Sequence, residues 1–189
     1  AAIGGQLVIS VAAGIRSTDL SRWLGGHRRI VRAMPNTPAL IGLGVTGLAA
    51  PADLASGDRS LAERVLGSVG STVWVDDESK LDAVTAISGG GPAYVFLFIE
   101  ALEASAVELG LSPSQARALA LGTFSGAAQL AAQSPEPPST LRERVTSKGG
   151  TTAAALGEFA AGDLRGLFVK AMRAAQRRSV ALGDEFGRD

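Results

Sequence analysis

Leu7–Ala33 reads L-V-I-S-V-A-A-G-I-R-S-T-D-L-S-R-W-L-G-G-H-R-R-I-V-R-A, and its punctuation decides the fold class. Leu7–Val11 is an apolar run that ends in Ala12-Ala13-Gly14, which suits a buried parallel strand leaving through a tight turn. Ser17 or Thr18 then caps a short helix through Leu24, and Gly25-Gly26 stops it. Ile30–Ala33 reads as the next strand. Strand, helix, strand is the grammar of an α/β sheet. His27 lies in the polar connector G-G-H-R-R and reads as an exposed loop residue.

Outward from this unit, Pro35 and Pro38 keep Met34–Thr37 out of regular helix, at the C-terminal end of a strand. That is where α/β sheets bind ligands, although the same residues read equally well as a proline-rich turn. Val45–Ala49 and Thr72–Val75 look like two further strands, with a helix at Arg59–Leu66 between them. After Val75 the pattern changes. Residues 77–189 lack strand alternation and are rich in alanine, leucine and glycine, so they read as helical to the end. The helices are expected at 78–87, 92–109, 112–133, 139–145, 152–160 and 164–182, with Pro92 in a first turn and Ser112-Pro113-x-Gln115 as a capping box. The expected class is therefore α/β plus all-α, divided into residues 1–76 and 77–189.

Composition removes several function classes. Lys plus Arg and Asp plus Glu are 18 each, so no broad basic field for nucleic acid exists. Glu100 and Glu103 close the apolar run Pro92–Ile99 well short of the ~20 residues of a membrane span, so no membrane segment is expected. The opening residues carry no secretory signal pattern, and a cytoplasmic setting is expected. With no cysteine and a single histidine, disulfides, thiolate chemistry, a metal site and a Ser-His nucleophile pair are not expected. Hydride transfer from a nicotinamide suits such an inventory, because the cofactor carries the reaction.

The stretch richest in possible ligand contacts is V-T-S-K-G-G-T-T-A-A-A-L, Val145–Leu156. Gly149 and Gly150 permit a turn with positive φ and close approach, and Thr151 or Thr152 can cap the helix that follows. Unpaired N–H groups at that helix start would suit a small carboxylate or phosphate. The residues also suit an ordinary loop with a threonine cap.

Three stretches occur in order along the chain: V-R-A-M-P-N-T-P (Val31–Pro38), D-A-V-T-A-I-S-G-G-G-P-A-Y (Asp82–Tyr94), and L-R-E-R (Leu141–Arg144) with V-T-S-K-G-G-T-T. Together they resemble the pyrroline-5-carboxylate reductase family, which makes proline. The resemblance implies the C-terminal part of a dinucleotide-binding, Rossmann-like sheet at residues 1–76. It implies an all-helical domain at 77–189 for substrate binding and dimerisation. A dinucleotide domain opens with a strand and a G-x-G-x-x-G turn, and nothing before Leu7 supplies either, so the sequence resembles a reductase without most of its cofactor domain. Whether these residues alone are active stays open.

The resemblance further implies NADP or NAD as cofactor, with Ala12, Ala13, Asn36 and Glu78 on the cofactor side. Glu78 reads equally as a first-turn glutamate favoured by the helix dipole. The substrate would be 1-pyrroline-5-carboxylate and the product L-proline. Val145, Ser147, Gly149, Gly150, Thr151 and Thr152 would form the substrate loop. Ser147 and the N–H groups of Gly150 and Thr151 would hold the carboxylate, and Thr152, the catalytic residue, would contact the ring nitrogen. Lys148 stands where the family commonly has proline. The helices at 92–109 and 116–132 have too little polar face for lone surface helices, which suggests burial against a second subunit, although the core of a monomeric bundle would also account for it. The family implies an interlocked homodimer, which can assemble into a decamer. The alternatives are another two-domain NAD(P)-dependent reductase or dehydrogenase, or a helical dimerisation module without catalysis.

Overall fold

The computed structural model describes residues 3–188. The chain forms two compact units, residues 1–92 together with 170–189, and residues 93–169.

The first unit carries β1 (Val8–Ser10), α1 (Ser17–Trp23), β2 (Ile30–Met34), β3 (Gly44–Ala49), α2 (Ser56–Gly67) and β4 (Gly70–Trp74), with the strands in the order β1-β2-β3-β4. β1 and β2 run parallel with Val8 opposite Ile30, and β3 and β4 run parallel with Val45 opposite Ser71. The central pair is antiparallel, with Ala33 opposite Leu48. Segment 35–43, folded into a 3-10 turn at Thr37–Ile41, is too short for the crossover that a parallel pair requires. Val31, Ala33 and Leu48 form the core with Leu54, Ala62 and Leu66. Ala62 and Leu66 lie four apart on one stripe of α2, the spacing that turns both toward the sheet. Burying a side chain such as Val31 or Leu48 contributes about 1.5–3 kcal/mol. Arg29 closes the far end of this helix with a fork on Asp58, at 2.9 and 2.7 Å.

The helix expected at 78–87 is three kinds of turn in succession: a 3-10 turn at Glu78–Lys80, α3 (Leu81–Val84) and a π turn at Thr85–Gly89. Hydroxyls explain the widening. Thr85 Oγ1 donates to the Leu81 carbonyl at 2.7 Å and Ser88 Oγ to that of Val84 at 3.0 Å. The Gly90 N–H reaches back to Thr85 at 2.9 Å, one residue beyond an α-helical bond.

The second unit is helical, from α4 (Gly91–Glu108) through α5 (Pro113–Gln133), α6 (Pro138–Arg144) and α7 (Thr151–Ala161) to the start of α8 (Leu164–Phe186). The capping box opens α5 as expected: Gln115 N–H donates to Ser112 Oγ at 3.3 Å, and Ser112 N–H to Gln115 Oε1 at 2.9 Å. Phe98 stacks on Phe168 with ring centroids 5.5 Å apart. Yet Ala116 and Ala120 are the described residues of this unit that are buried, and α4 contributes none. Phe96 and Leu97 stand 58% and 62% exposed. By length and composition, Glu78–Glu108 is also long and apolar enough to cross a membrane.

Candidate functional site

The loop between α6 and α7 is built from backbone ties at both ends. At the exit from α6, Thr146 N–H donates to the Glu143 carbonyl at 3.0 Å and Thr146 Oγ1 to that of Arg142 at 2.6 Å. Arg144 and Glu136 add a bidentate pair at 2.7 and 2.5 Å. The chain then makes a four-residue turn, Ser147–Gly150, closed by Gly150 N–H on the Ser147 carbonyl at 3.0 Å. Gly149 at its third position has φ +72, the requirement of a type II turn. Lys148 occupies the second position, which proline favours in such turns.

Two expectations change here. Gly150 is extended at φ −82, not left-handed, and it serves as the N-cap of α7, which therefore starts at Thr151 with neither threonine capping it. Its lack of a side chain still matters, because a Cβ there would overlap Ser147 Oγ. The Ser147 hydroxyl thus lies over the helix start. Gly150 N–H is already engaged by the Ser147 carbonyl, so the unpaired donors of the first turn begin at Thr151 and continue at Thr152 and Ala153. Thr152 is half-buried, while Val145, Ser147, Gly149 and Thr151 are exposed.

In the first unit, Ala12 and Ala13 sit exposed on the turn leaving β1, with Ala12 N–H donating to Ser10 Oγ at 3.3 Å. Asn36 follows β2 and ties two segments together. Its Oδ1 accepts from Val45 N–H at 2.9 Å, and its Nδ2 donates to the Ser88 carbonyl of the π turn at 3.2 Å. Glu78 is likewise taken up by protein groups. Oε1 accepts from Ser17 N–H at 2.7 Å and Arg32 Nη1 at 2.8 Å, and Oε2 accepts from the Ser17 hydroxyl. Glu78 therefore caps α1 from 61 residues away, where Ser17 or Thr18 was expected to cap it locally. The roles of Ser17 and Arg32 toward Glu78 are not legible in the sequence, because no local spacing links them to it. His27 is half-buried, with Nε2 3.2 Å from the Arg29 carbonyl.

Burial pushes the Glu78 carboxyl up, but the Ser17 hydroxyl and N–H and the Arg32 guanidinium outweigh it and hold the group below its ordinary value. A depressed folded value means stability that is present above the unfolded value of about 4.3 and is lost as pH falls through the folded one. Glu78→Gln is accordingly expected to flatten the fall in stability between about pH 5 and pH 3, measured as urea midpoints across that range. An unchanged acid limb would show that Glu78 does not carry it.

A family profile described as pyrroline-5-carboxylate reductase dimerisation matches residues 78–182. The pyrroline-5-carboxylate reductase of Pseudomonas aeruginosa is 46% identical over 182 residues, covering 96% of this chain and 67% of the relative. The structure of a pyrroline-5-carboxylate reductase from Coxiella burnetii superposes with a TM-score of 0.91 at 42% identity, over 95% of this chain and 66% of that one. A Plasmodium falciparum pyrroline carboxylate reductase with NADP bound gives a TM-score of 0.85 at 34% identity, over 94% and 71%. The chain thus spans about two thirds of the length of these relatives. An identity of this size along nearly the whole chain, with the fold shared, leads to one conclusion: the chain belongs to the pyrroline-5-carboxylate reductase family.

Proposed function

We propose that the protein of which this chain is part reduces 1-pyrroline-5-carboxylate to L-proline with NADPH or NADH. One observation carries the reading most directly: the Ser147–Gly150 turn brings a hydroxyl and the unpaired N–H groups of Thr151 and Thr152 to one helix start. A carboxylate fits donors so arranged. Thr152, one residue into the helix, is assigned to the ring nitrogen. When bound, the cofactor supplies a hydride to the imine carbon, and a proton added to the nitrogen completes the secondary amine.

On the cofactor side, the methyl side chains of Ala12 and Ala13 fit the close approach of a flat nicotinamide at the end of β1. Asn36 and Glu78 act there by fixing backbone: Asn36 holds the π turn, and Glu78 holds the start of α1. The start of α1 does not offer its Ser17 N–H to a phosphate, since that group donates to Glu78. Residues 1–76 are assigned to the cofactor side and 77–189 to substrate binding and dimerisation. The reading expects oxidation of NADPH, followed at 340 nm, when 1-pyrroline-5-carboxylate is added to a polypeptide that also carries the part of the family these residues do not span. No turnover with that imine would overturn it.

The same reading makes the chain a homodimer, further assembled into a decamer, in the cytoplasm and without nucleic-acid or membrane partners. Support comes from α4, whose exposed Val95, Phe96 and Leu97 offer apolar area that the second unit leaves uncovered. Sedimentation of dilute protein is expected to give a dimer with no folded monomer. A stable folded monomer would count against it.

A further inference from the structure

The turn that carries Ala12 and Ala13 is held from the far end of the chain. At Gly14, φ is +75, and a Cβ would lie 2.8 Å from Phe186 Cδ2 and 3.3 Å from Leu182 Cβ, so the last turns of α8 pack directly against the backbone there. Two residues on, Arg16 Nη2 reaches Asp184 Oδ1 at 2.6 Å and the Val180 carbonyl at 3.4 Å. Its guanidinium lies against Gly183, where a Cβ would come within 2.9 Å of Nη2. Arg22 Nη2 donates to the Gly187 carbonyl at 3.0 Å, and buried Ser179 donates to Asp82 Oδ1 at 2.6 Å. The Arg16–Asp184 pair is 40% and 54% exposed, and a pair that open contributes little to global stability. Its geometric effect is larger, because it ties Arg16, the residue that precedes α1, to α8.

We propose that Ser179–Phe186 of α8 sets the position of the Val11–Gly14 turn for a nicotinamide cofactor, with Leu182, Phe186 and the Arg16–Asp184 pair as positioning residues. The proposal rests on the reductase reading above. A turn displaced by a fraction of an ångström loses close contacts with a flat ring while the chemistry of the ring is unchanged, so the loss falls on cofactor binding.

The test uses the longer polypeptide described above and two readouts, calorimetric titration with NADPH and amide hydrogen exchange. Phe186→Ala is expected to speed exchange at residues 11–17, leave β3 and β4 unchanged, and weaken NADPH binding roughly tenfold, with kcat at saturating NADPH within about twofold. Phe186→Leu should restore most of the binding. Asp184→Asn, which keeps the packing and removes the ion pair, should give a smaller change of the same kind. The proposal is overturned by unchanged NADPH affinity in both variants, or by faster exchange spread evenly over the sheet. If the unmutated protein binds NADPH but does not reduce 1-pyrroline-5-carboxylate, the reductase reading fails, and weaker binding by Phe186→Ala would still uphold the positioning role. If the unmutated protein binds no NADPH, both fall.

Discussion

Replacing Thr152 with valine is expected to lower kcat roughly ten- to a hundredfold with little change in KM for the imine, since a hydroxyl contact made stronger in the transition state is worth about 1–3 kcal/mol. Reduction turns a planar imine nitrogen into an amine, so a hydroxyl placed beside it gains as the reaction proceeds. The substrate carboxylate is unchanged throughout. On the proposed assignment its contacts with Ser147 and the amides at the start of α7 would contribute uniform binding, and Ser147→Ala is expected to raise KM and spare kcat. Thr152 is half-buried in the first turn of α7, so valine keeps the shape and removes only the hydroxyl. Steady-state kinetics on both variants decide the matter. If Thr152→Val kept full kcat while Ser147→Ala lost it, the two roles would have to be exchanged.

Gly70→Ala should destabilise the first unit by about 3–5 kcal/mol, near the upper end for a single substitution. Gly70 opens β4 at φ +147, a conformation closed to residues with a side chain. A Cβ there would overlap the Gly44 carbonyl oxygen and lie 2.6 Å from Gly44 C and N. The obstacle is backbone, so no rotamer relieves it, and β3 and β4 must separate at their first rung. Gly25→Ala provides the comparison. It too has positive φ, at +69, but its Cβ would meet nothing within 4 Å, so only the strain of about 1 kcal/mol remains. Urea unfolding should separate the two variants clearly, and equal midpoints would show that the strands yield at that rung.

Much of this structure was legible because its signals are local. Ser112, Pro113 and Gln115 announced a helix start within four residues, and the capping box is there. The apolar stretches before Ala12 and around Val31 marked the strands that pair as β1 and β2. What stayed hidden depends on partners far along the chain. Nothing near Ser17 indicates that its hydroxyl would serve Glu78 and leave the helix capped from a distance. Strand direction is not written in apolar periodicity, so the antiparallel β2–β3 pair emerged only from the short segment between them. At the candidate site, the glycine pair was visible, but its division of labour was not. Gly149 supplies the positive φ, and Gly150 makes room for Ser147, a difference that depends on how the Ser147–Gly150 turn closes.

The membership of the last helix in the sheet-bearing unit bears on how the protein is made. Residues 170–189 complete a unit whose other residues, 1–92, leave the ribosome before them. At ordinary elongation rates the intervening 77 residues take roughly 4–15 s to appear. During that interval the strands have formed one partner surface and lack the other, while the apolar helices of residues 93–169 emerge without their own complement. Closure then requires contacts such as Arg16 with Asp184, separated by 168 positions, the kind of long-range pairing that slows folding. Nascent chains of this protein should therefore need shielding from aggregation until α8 has emerged, and chaperone occupancy should persist until then.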